Sequence, residues 1–489
     1  MIALHHRKDQ KIFVFGLGLS GISSVNALLK GEATVYAWDD SPEMRASSDL
    51  GDKIIKDPRS IDFSDIDALI LSPGIPLNYP NPHWIVEIAN KNKVSIIGDI
   101  QLFLDEILIS KVPVKMIFVT GTNGKSTTVS IIYHLLKFMK EDVQLGGNIG
   151  INGVLELEYP KKNSIYVIEI SSFQIELTPR LKPDIAVLLN ISPDHLDRHG
   201  DIKNYSMIKS RIFLLQDNDD TAIIGADDKN TIRISNGIRK EINTIRISKN
   251  KEVRNGIWGL DGSIITNLDK KKLTMGKLSH KKSLAGEHNL QNIVASIAVL
   301  RSLGYSLDDY EAGFHSYLGL KYRMEVIGYY KNICFVNDSK ATNAEASREA
   351  IISCDNIYWI LGGLEKDDGI NQIKNSFKNI KKAYLIGSSI KSFSKTLLEK
   401  SIDYVSIVNV NDFEQCDMQR IDPTRFILDQ VSNKNIEKEF NHRPQENPMI
   451  NERIEKRSVR LVDKKNQAFC AKTIDKDIYN YFVHSAIES

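Results

Sequence analysis

Cysteine is scarce in this chain of 489 residues: there are four, and no two of them form a CxxC pair. The spacing excludes a zinc ribbon and gives no sign of a disulfide framework, so we expect reduced thiols and a cytoplasmic protein. No stretch approaches the ~18 uninterrupted apolar residues that a membrane-spanning helix needs. The first nine residues also lack the apolar segment of a secretory signal, so we expect no membrane partner.

An excess of charge of one sign is lacking as well, because 64 Lys and Arg residues nearly cancel 62 Asp and Glu residues. The net charge of +2 gives no electrostatic reason to expect a nucleic acid as partner. With 42% apolar and 26% charged residues, the composition is that of a folded protein and not of a disordered one. The chain is longer than one ordinary domain, so we expect several.

The amino-terminal part predicts a nucleotide-binding α/β domain, which we place at residues 1–107. A predicted strand runs into the segment 16–21, GLGLSG, and a helix and a second strand follow. The glycines fit the GxGxxG dinucleotide fingerprint, and Asp39 lies about twenty residues further on. The turn could also hold another diphosphate, such as a nucleotide-sugar, with Asp39 or Asp40 near the base or ribose. A purely structural turn is the third possibility.

The strongest motif lies in a second α/β unit, which we place at residues 108–318. The segment 120–127, TGTNGKST, directly follows an apolar strand and opens a helix. Glycines in such a turn let backbone N–H groups face phosphate oxygens, a lysine supplies positive charge, and a hydroxyl can bind Mg²⁺. The motif is a variant phosphate loop, since Val119 replaces the usual first glycine. It predicts an NTP site that comprises Gly121, Thr122, Asn123, Gly124, Lys125, Ser126 and Thr127.

Polar residues follow the next two predicted strands of this unit. Glu169 ends one strand, and the segment 190–200, NISPDHLDRHG, follows the other. Because parallel strands end at the same edge of a sheet, we expect these residues beside the phosphate loop. Glu169 and His195 could jointly hold Mg²⁺, with solvated loop charges as the alternative.

Lys209 lies in a predicted helix beside an apolar stripe formed by Tyr205, Ile208, Ile212 and Leu215. At 100° per residue it falls on the flank of that stripe, away from the outer face. By pattern alone, such a lysine usually extends its amine to solvent along an apolar surface.

A third unit, which we place at residues 319–428, begins near Ile333 and contains two more candidates for buried strands. Gly387 is the last glycine of the chain, although an α/β domain normally uses glycine at its tight turns. Residues 429–489 therefore form an atypical charged tail of uncertain fold.

Five ordered motifs resemble those of the Mur ligases of peptidoglycan synthesis. They are 121–127 (GTNGKST), 169–174 (EISSFQ), 194–200 (DHLDRHG), 286–289 (GEHN) and 337–343 (NDSKATN). Together with 18–21 (GLSG) and 72–76 (SPGIP), the last motif is similar to that of the member that adds D-glutamate to UDP-N-acetylmuramoyl-L-alanine. The resemblance runs from about residue 10 to about residue 390.

The resemblance implies an α/β fold of three domains. These are a Rossmann-like domain for the UDP-sugar, a central P-loop ATPase-like domain with a parallel sheet, and a C-terminal Rossmann-like domain that closes on the amino acid. It also implies an ATP-dependent ligase with Mg²⁺. ATP phosphorylates the L-alanine carboxylate, and the D-glutamate amine attacks the acyl phosphate to give an amide, ADP and phosphate. We expect a monomer.

The resemblance also assigns roles to single residues. Those implied to be catalytic are Lys125, His195 and Lys209, the last of them carbamylated. Those implied to hold Mg²⁺ are Ser126, Glu169, His195 and Lys209. Besides the phosphate loop, ATP would contact Asn289, Arg323 and Asp338. The UDP-sugar would contact Ser20, Asp39, Asp40, Gly74 and Asn148. D-glutamate would lie near Lys340, Thr342 and Lys366.

The sequence departs from the family pattern at two places. Tyr322 replaces a histidine before Arg323, and the family's C-terminal segment that helps to bind D-glutamate is not found after Asp412. An alternative is therefore a catalytically impaired homologue that binds nucleotides but has lost amino-acid capture. A folylpolyglutamate synthase is disfavoured by the first glycine motif, and a nicotinamide dehydrogenase would leave Lys125 unexplained.

Overall fold

The computed structural model describes most of the chain before residue 408. The described residues are 1–149, 153–260, 263–268, 273–277, 287–330, 333–363 and 369–407. Lys366 and the tail 429–489 lie outside them. The chain divides into two compact units, one over residues 1–319 and one that begins at Leu320. The four domain ranges expected from the sequence stay predictions.

The first unit begins with a parallel sheet of four strands in the order β2-β1-β3-β4. The strands are β1 (Lys11–Phe15), β2 (Thr34–Trp38), β3 (Ala68–Leu71) and β4 (Ser95–Ile97). The helices are α1 (Leu19–Lys30), α2 (Pro42–Ser47), α3 (Trp84–Lys91) and α4 (Asp99–Ser110). The predicted strand before the glycine motif is confirmed. β1 and β3 are apolar along almost their whole length because helices cover both faces of the sheet.

A larger sheet of nine strands follows in the same unit, in the order β13-β12-β11-β10-β9-β8-β5-β7-β6. Its first five strands are β5 (Lys115–Thr120), β6 (Val143–Gly147), β7 (Ile165–Glu169), β8 (Ile185–Leu188) and β9 (Thr221–Gly225). The others are β10 (Asn243–Ser248), β11 (Gly256–Leu260), β12 (Ser263–Thr266) and β13 (Leu273–Lys277). All pairs from β6 to β11 are parallel, and β12 and β13 add an antiparallel edge.

Helices cover both faces of the nine-stranded sheet. They are α5 (Lys125–Phe138), α6 (Ser172–Glu176), α7 (Leu196–His199), α8 (Ile202–Ser210), α9 (Lys229–Gly237), α10 (Glu287–Ser302) and α11 (Leu307–Ser316). Alternate residues of β5 enter different cores: Ile117 packs in the cluster that holds residues of α5 and α10, and Phe118 in the cluster that holds residues of α4 and α8.

The apolar stripe predicted for the helix at Lys209 is wrong at its far end. The α-helix ends at Ser210 and continues as a 3-10 turn over Arg211–Phe213. The tighter turn changes the angle between successive side chains, so Leu215 leaves the stripe and is 42% exposed.

The order of strands sets the place of the candidate site. β5 lies between β7 and β8, with Val119 opposite Glu169 and Thr120 opposite Leu188. The chain leaves β5 towards β6 and β7 on one side and then crosses to β8 on the other. A crevice opens at the carboxyl end of strands where such connections reverse, and ligands of α/β sheets bind there.

The second unit contains a hairpin and a parallel sheet. The hairpin joins β14 (Glu325–Tyr330) to β15 (Ile333–Asn337), and α12 (Ala344–Ser353) follows. The sheet has the order β16 (Ile357–Gly362), β17 (Ile380–Ile386) and β18 (Asp403–Ile407), with α13 (Ile390–Glu399) between the last two strands. The predicted α/β class is confirmed. Within the described ranges, no helix is long and apolar enough to cross a bilayer.

Candidate active site

The loop between β5 and α5 has the backbone that its glycines predict. Gly121 and Gly124 have φ angles of 152° and 87°, a region that favours glycine. A Cβ atom at Gly124 would lie 2.2 Å from Oδ1 of Asn292, so a larger residue does not fit. Gly124 is also the N-cap of α5 and provides no capping side chain. The first N–H groups of this helix are therefore available to an anion such as phosphate.

A chain of amide side chains holds the phosphate loop in place. The Asn123 N–H donates to Oδ1 of Asn190 over 2.9 Å, and Nδ2 of Asn190 donates to the Asn123 carbonyl over 3.0 Å. Nδ2 of Asn190 also donates to Oε1 of Gln291, whose Nε2 donates to Asp227. The position of Asn190 beside the phosphate loop is as expected from the segment 190–200, whereas Gln291 and Asp227 are not among the predicted site residues, because they lie far from this loop in the sequence.

Thr122 and Lys125 complete the loop. The Thr122 hydroxyl donates to the Ser192 carbonyl and accepts from the Ser192 N–H, and it lies 3.3 Å from the Tyr205 hydroxyl. Nζ of Lys125 donates to the Thr122 carbonyl over 2.8 Å, so its positive charge lies at the loop. A lysine beside a glycine-rich loop and a helix N-terminus is able to bind phosphate groups.

Lys209 is buried beneath the same loop, with 1% of its surface exposed. Nζ donates to Oγ1 of Thr120 over 3.2 Å. The expected inner-flank position is confirmed, and extension of the amine to solvent is wrong. Burial and the nearby charge of Lys125 lower the Lys209 pKa well below its usual value, and the carboxylates of Asp194 and Glu169 act in the opposite direction.

Glu169 is the last residue of β7 and is 2% exposed. Its Oε1 accepts from Nδ2 of Asn148 over 3.2 Å, and its carbonyl accepts from the Asn148 N–H. Asn148, expected at the UDP-sugar, thus lies beside a carboxylate expected at the metal. Asp194 is also buried, so the alternative of solvated loop charges is wrong for both carboxylates.

His195 stands at the start of the short helix α7. Its φ angle is 54°, and its Nε2 lies 3.6 Å from Oδ2 of Asp194. The ring meets the Phe173 ring edge-on with centroids 4.9 Å apart. On the other side Phe173 stacks on buried His199, whose Nε2 is hydrogen-bonded to the Ser172 hydroxyl over 2.9 Å.

The residues expected to hold Mg²⁺ supply the right chemistry. In the part of the chain that the structure describes, no three His, Cys, Asp or Glu side chains gather as a metal centre. The predicted set needs only Glu169 and His195 from those types, and adds the Ser126 hydroxyl and a modified Lys209. The Thr127 hydroxyl is buried without a hydrogen-bond partner, so it is a further oxygen donor at this loop. Hard oxygen donors suit Mg²⁺, and Ser126, Glu169 and a carbamylated Lys209 would supply oxygen, with the His195 imidazole as the one nitrogen donor.

The glycines of the first motif serve two different purposes. A Cβ at Gly16 would lie 2.6 Å from the Ser72 Cβ, and one at Gly21 would lie 1.8 Å from the Gly16 carbonyl. At Gly18 a Cβ would meet no atom within 4 Å. Packing therefore requires the first and third glycines, and the second leaves the backbone open to close approach by a diphosphate.

Three other residues expected at the UDP-sugar lie around this turn, each with a protein partner. The Asp39 carboxylate accepts from the N–H groups of Leu17 and Ser41 over 2.8 and 2.9 Å, so it holds the turn. The Asp40 carboxylate lies 3.0 Å from the His83 ring and accepts from Nε1 of Trp84. The Ser20 hydroxyl donates to Oδ2 of buried Asp99.

Asn289 lies in the first turn of α10 and is 6% exposed. Its Oδ1 accepts from Nδ2 of Asn292, and Oδ1 of Asn292 accepts from the Thr128 hydroxyl of α5. The start of α10 is thus joined to the first turn of the phosphate-loop helix.

The second unit brings four predicted residues to one end of its hairpin. Oδ1 of Asp338 accepts from the Met324 N–H, and the Lys340 N–H donates to the Tyr322 carbonyl. Arg323 therefore lies in a segment that is tied to Asp338 and Lys340. Thr342 follows, and its N–H donates to the Lys340 carbonyl.

Comparison with protein families places the central part of the chain. Residues 119–300 match the Mur ligase middle domain. The UDP-N-acetylmuramoylalanine--D-glutamate ligase of Rhizobium johnstonii is 43% identical over 400 residues, which cover 82% of this chain and 84% of the relative. The ligase of the same name from Agrobacterium fabrum is 39% identical over 448 residues, 89% of this chain and 95% of the relative.

Solved structures share the fold at lower identity. MurF from Acinetobacter baumannii gives a TM-score of 0.53 at 17% identity, over 86% of this chain and 87% of the other. UDP-N-acetylmuramate-alanine ligase MurC from Thermotoga maritima gives a TM-score of 0.52 at 17% identity, over 83% of this chain and 92% of the other.

Proposed function

The chain belongs to the Mur ligase family, and we propose that it joins D-glutamate to UDP-N-acetylmuramoyl-L-alanine with ATP as the energy source, in the cytoplasm and as a monomer. The name of the relatives supports this member of the family. The observation that carries the proposal is the braced phosphate loop with Lys125, at the edge of the sheet where Glu169 and Lys209 are buried.

The reaction begins with phosphoryl transfer, which needs positioning and neutralised charge more than covalent chemistry by the protein. The α5 N-terminus and Lys125 bind the phosphates of ATP, and Asn190 keeps the loop in the binding conformation. Asn289, Arg323 and Asp338 are proposed to contact the rest of ATP. The L-alanine carboxylate attacks the γ-phosphorus, ADP leaves, and an acyl phosphate is formed.

The second half of the reaction is amide formation. The amine of D-glutamate attacks the acyl carbon, a tetrahedral intermediate forms, and inorganic phosphate leaves. Lys340 and Thr342, which lie together after β15, and Lys366 are proposed to hold D-glutamate. Ser20, Asp39, Asp40, Gly74 and Asn148 are proposed to hold the UDP-sugar.

Ser126, Glu169, His195 and carbamylated Lys209 are proposed to hold Mg²⁺. When bound, the ion supplies positive charge to the transferred phosphoryl group. No observation on the described residues favours the impaired homologue.

The test is phosphate release by the full chain with Mg-ATP and UDP-N-acetylmuramoyl-L-alanine, with and without D-glutamate. We expect release that depends on D-glutamate and a product whose mass equals that of the adduct. L-glutamate and L-alanine are the control amino acids. Phosphate release with another amino acid but not with D-glutamate would reject D-glutamate as the acceptor. Folded protein that binds both nucleotides but forms no adduct would favour the impaired homologue.

A further inference from the structure

The loop after β3, residues 72–80, contacts the helices that follow β7 and β8; we call it the substrate loop. Nη1 of Arg198 donates to the Gly74 carbonyl over 2.7 Å, and Nη2 donates to the Ile75 carbonyl over 3.2 Å. Asn78, further along the loop, interacts with the Glu176 carboxyl of α6 and partly opposes the rise in its pKa that burial causes. The four-stranded and nine-stranded sheets of the first unit are thus joined at their ligand-binding edges.

A close packing contact supports these hydrogen bonds. A Cβ at Gly200 would lie only 3.3 Å from the ring of Tyr79, so the end of α7 fits tightly against the substrate loop. Gly200 has a φ angle of 81°, which also favours glycine at this position. The contact with Tyr79 therefore leaves little room for a residue larger than glycine at position 200.

The chemistry of Arg198 is suited to fixing a loop. Its two terminal nitrogens donate to two consecutive carbonyls, and the planar guanidinium holds these two donors in a fixed relative geometry that a flexible lysine side chain lacks. The guanidinium carbon lies 4.6 Å from the centre of the Phe173 ring, a cation–π contact. His195 also contacts Phe173, with ring centroids 4.9 Å apart, so contacts run from Gly74 through Arg198 and Phe173 to His195.

We propose that Arg198 is a positioning residue, which holds the substrate loop so that the carboxylate of the UDP-linked substrate is aligned with the γ-phosphate of ATP. This inference rests on the proposed function. Arg198 acts through the loop: its terminal nitrogens donate to the carbonyls of Gly74 and Ile75. Its loss should therefore raise the KM for the UDP-linked substrate and lower kcat, and leave the KM for ATP unchanged.

The test is steady-state kinetics of Arg198→Lys, which keeps the charge but not the two nitrogen donors fixed in one plane. We expect kcat/KM for UDP-N-acetylmuramoyl-L-alanine to fall by about tenfold to a hundredfold, through both a higher KM and a lower kcat, because a small misplacement of a reacting group costs that much. The KM for ATP should stay within about twofold. Asn78→Ala, which removes the loop side chain that interacts with Glu176, should give a smaller change in the same constants.

Arg254→Lys is the matched control, since Arg254 is exposed on the same unit, and it should keep wild-type kinetics. Thermal unfolding and ATP binding are measured for every variant to show that each is folded. Wild-type constants for Arg198→Lys, or a rise in the KM for ATP equal to that for the UDP-linked substrate, would overturn the inference.

Failure of the proposed function can be distinguished from failure of this inference, because the wild-type chain would then release no phosphate that depends on D-glutamate. In that case calorimetric binding of UDP-N-acetylmuramoyl-L-alanine decides the role of the loop contact. Weaker binding by Arg198→Lys than by wild type would support it, and equal binding would reject it.

Discussion

Nζ of Lys125 and Nζ of Lys209 donate to one acceptor, the Gly121 carbonyl, over 3.0 and 2.9 Å. Two ammonium groups on one oxygen repel each other, and Lys209 is the buried member of the pair. Burial, and after it the charge of Lys125, lowers the Lys209 pKa well below its usual value, which makes the neutral amine more accessible. A neutral amine can add to carbon dioxide with loss of a proton, which gives the carbamate expected from the family resemblance.

This chemistry predicts that activity depends on carbon dioxide. Enzyme assayed after removal of dissolved carbon dioxide should lose activity, and added bicarbonate should restore it. Lys209→Ala should lower kcat by about a hundredfold or more, because a group that positions charge is lost, and bicarbonate should not restore its activity. Lys203→Ala, on the exposed side of α8, is the control and should behave as wild type. A wild-type rate that does not change when carbon dioxide is removed would reject the carbamate.

Lys125→Ala should abolish measurable ATP turnover, a fall of at least about a thousandfold, because the positive charge at the phosphate loop is lost. Phosphate release under saturating substrates measures the effect. Lys137→Ala removes an exposed lysine from the same helix and should keep full turnover. If Lys125→Ala turns over ATP as wild type does, the phosphate-loop interpretation is wrong.

Gly124→Ala should weaken ATP binding by about tenfold or more. The new Cβ would overlap Oδ1 of Asn292, and alanine is strained at a φ angle of 87°. Gly237→Ala is the matched control, since a Cβ there meets no atom within 4 Å. Equilibrium binding of a non-hydrolysable ATP analogue compares the two variants. Equal affinity would show that the loop can move away from Asn292 at little cost.

Much of this site could be predicted because its signals are local. The predicted strands before the phosphate loop and at Glu169 are confirmed, since an apolar run between turn residues marks a strand buried on both faces. The position of Lys209 followed from helical geometry alone. The end of α8 did not, because the change to a 3-10 turn has no signal in the spacing of apolar residues.

Other parts carry no local signal. The sequence places Asn190 beside the phosphate loop, but its hydrogen bonds to Asn123 and Gln291 could not be predicted, because a polar amide in a loop is not distinguished from a solvated one until the fold is known. The Arg198 contact with Gly74 spans 124 positions and ends on a backbone carbonyl, which no side-chain pattern identifies. The strands β10 to β13 were also missed, since they are short and interrupted by polar residues.

His199 predicts a dependence of stability on pH. Burial lowers its pKa from 6.5 to about 4, with smaller effects of His195 and Lys209 in the same direction. Between these values the unfolded chain binds a proton that the folded chain does not, so the free energy of unfolding falls as the pH falls from 6.5 to 4. The shift corresponds to roughly 3 kcal/mol at most.

Chemical denaturation of wild type and His199→Phe at several pH values measures this effect. The free energy of unfolding of wild type minus that of His199→Phe should be smaller at pH 4 than at pH 7, because phenylalanine cannot be protonated. His5→Phe, at an exposed histidine, is the control and should leave the pH profile unchanged. Parallel profiles for wild type and His199→Phe would reject the lowered pKa.

The position of β5 between β7 and β8 has a consequence for synthesis of the chain. The neighbours of the phosphate-loop strand are both made after it, and Asn292, which touches Gly124, emerges later still. Contacts between residues so distant in sequence form slowly, and a nascent chain exposes its apolar strands until they form. A growing polypeptide on the ribosome therefore gains a complete nucleotide pocket only after α10 has been translated, and until then it depends on protection from aggregation.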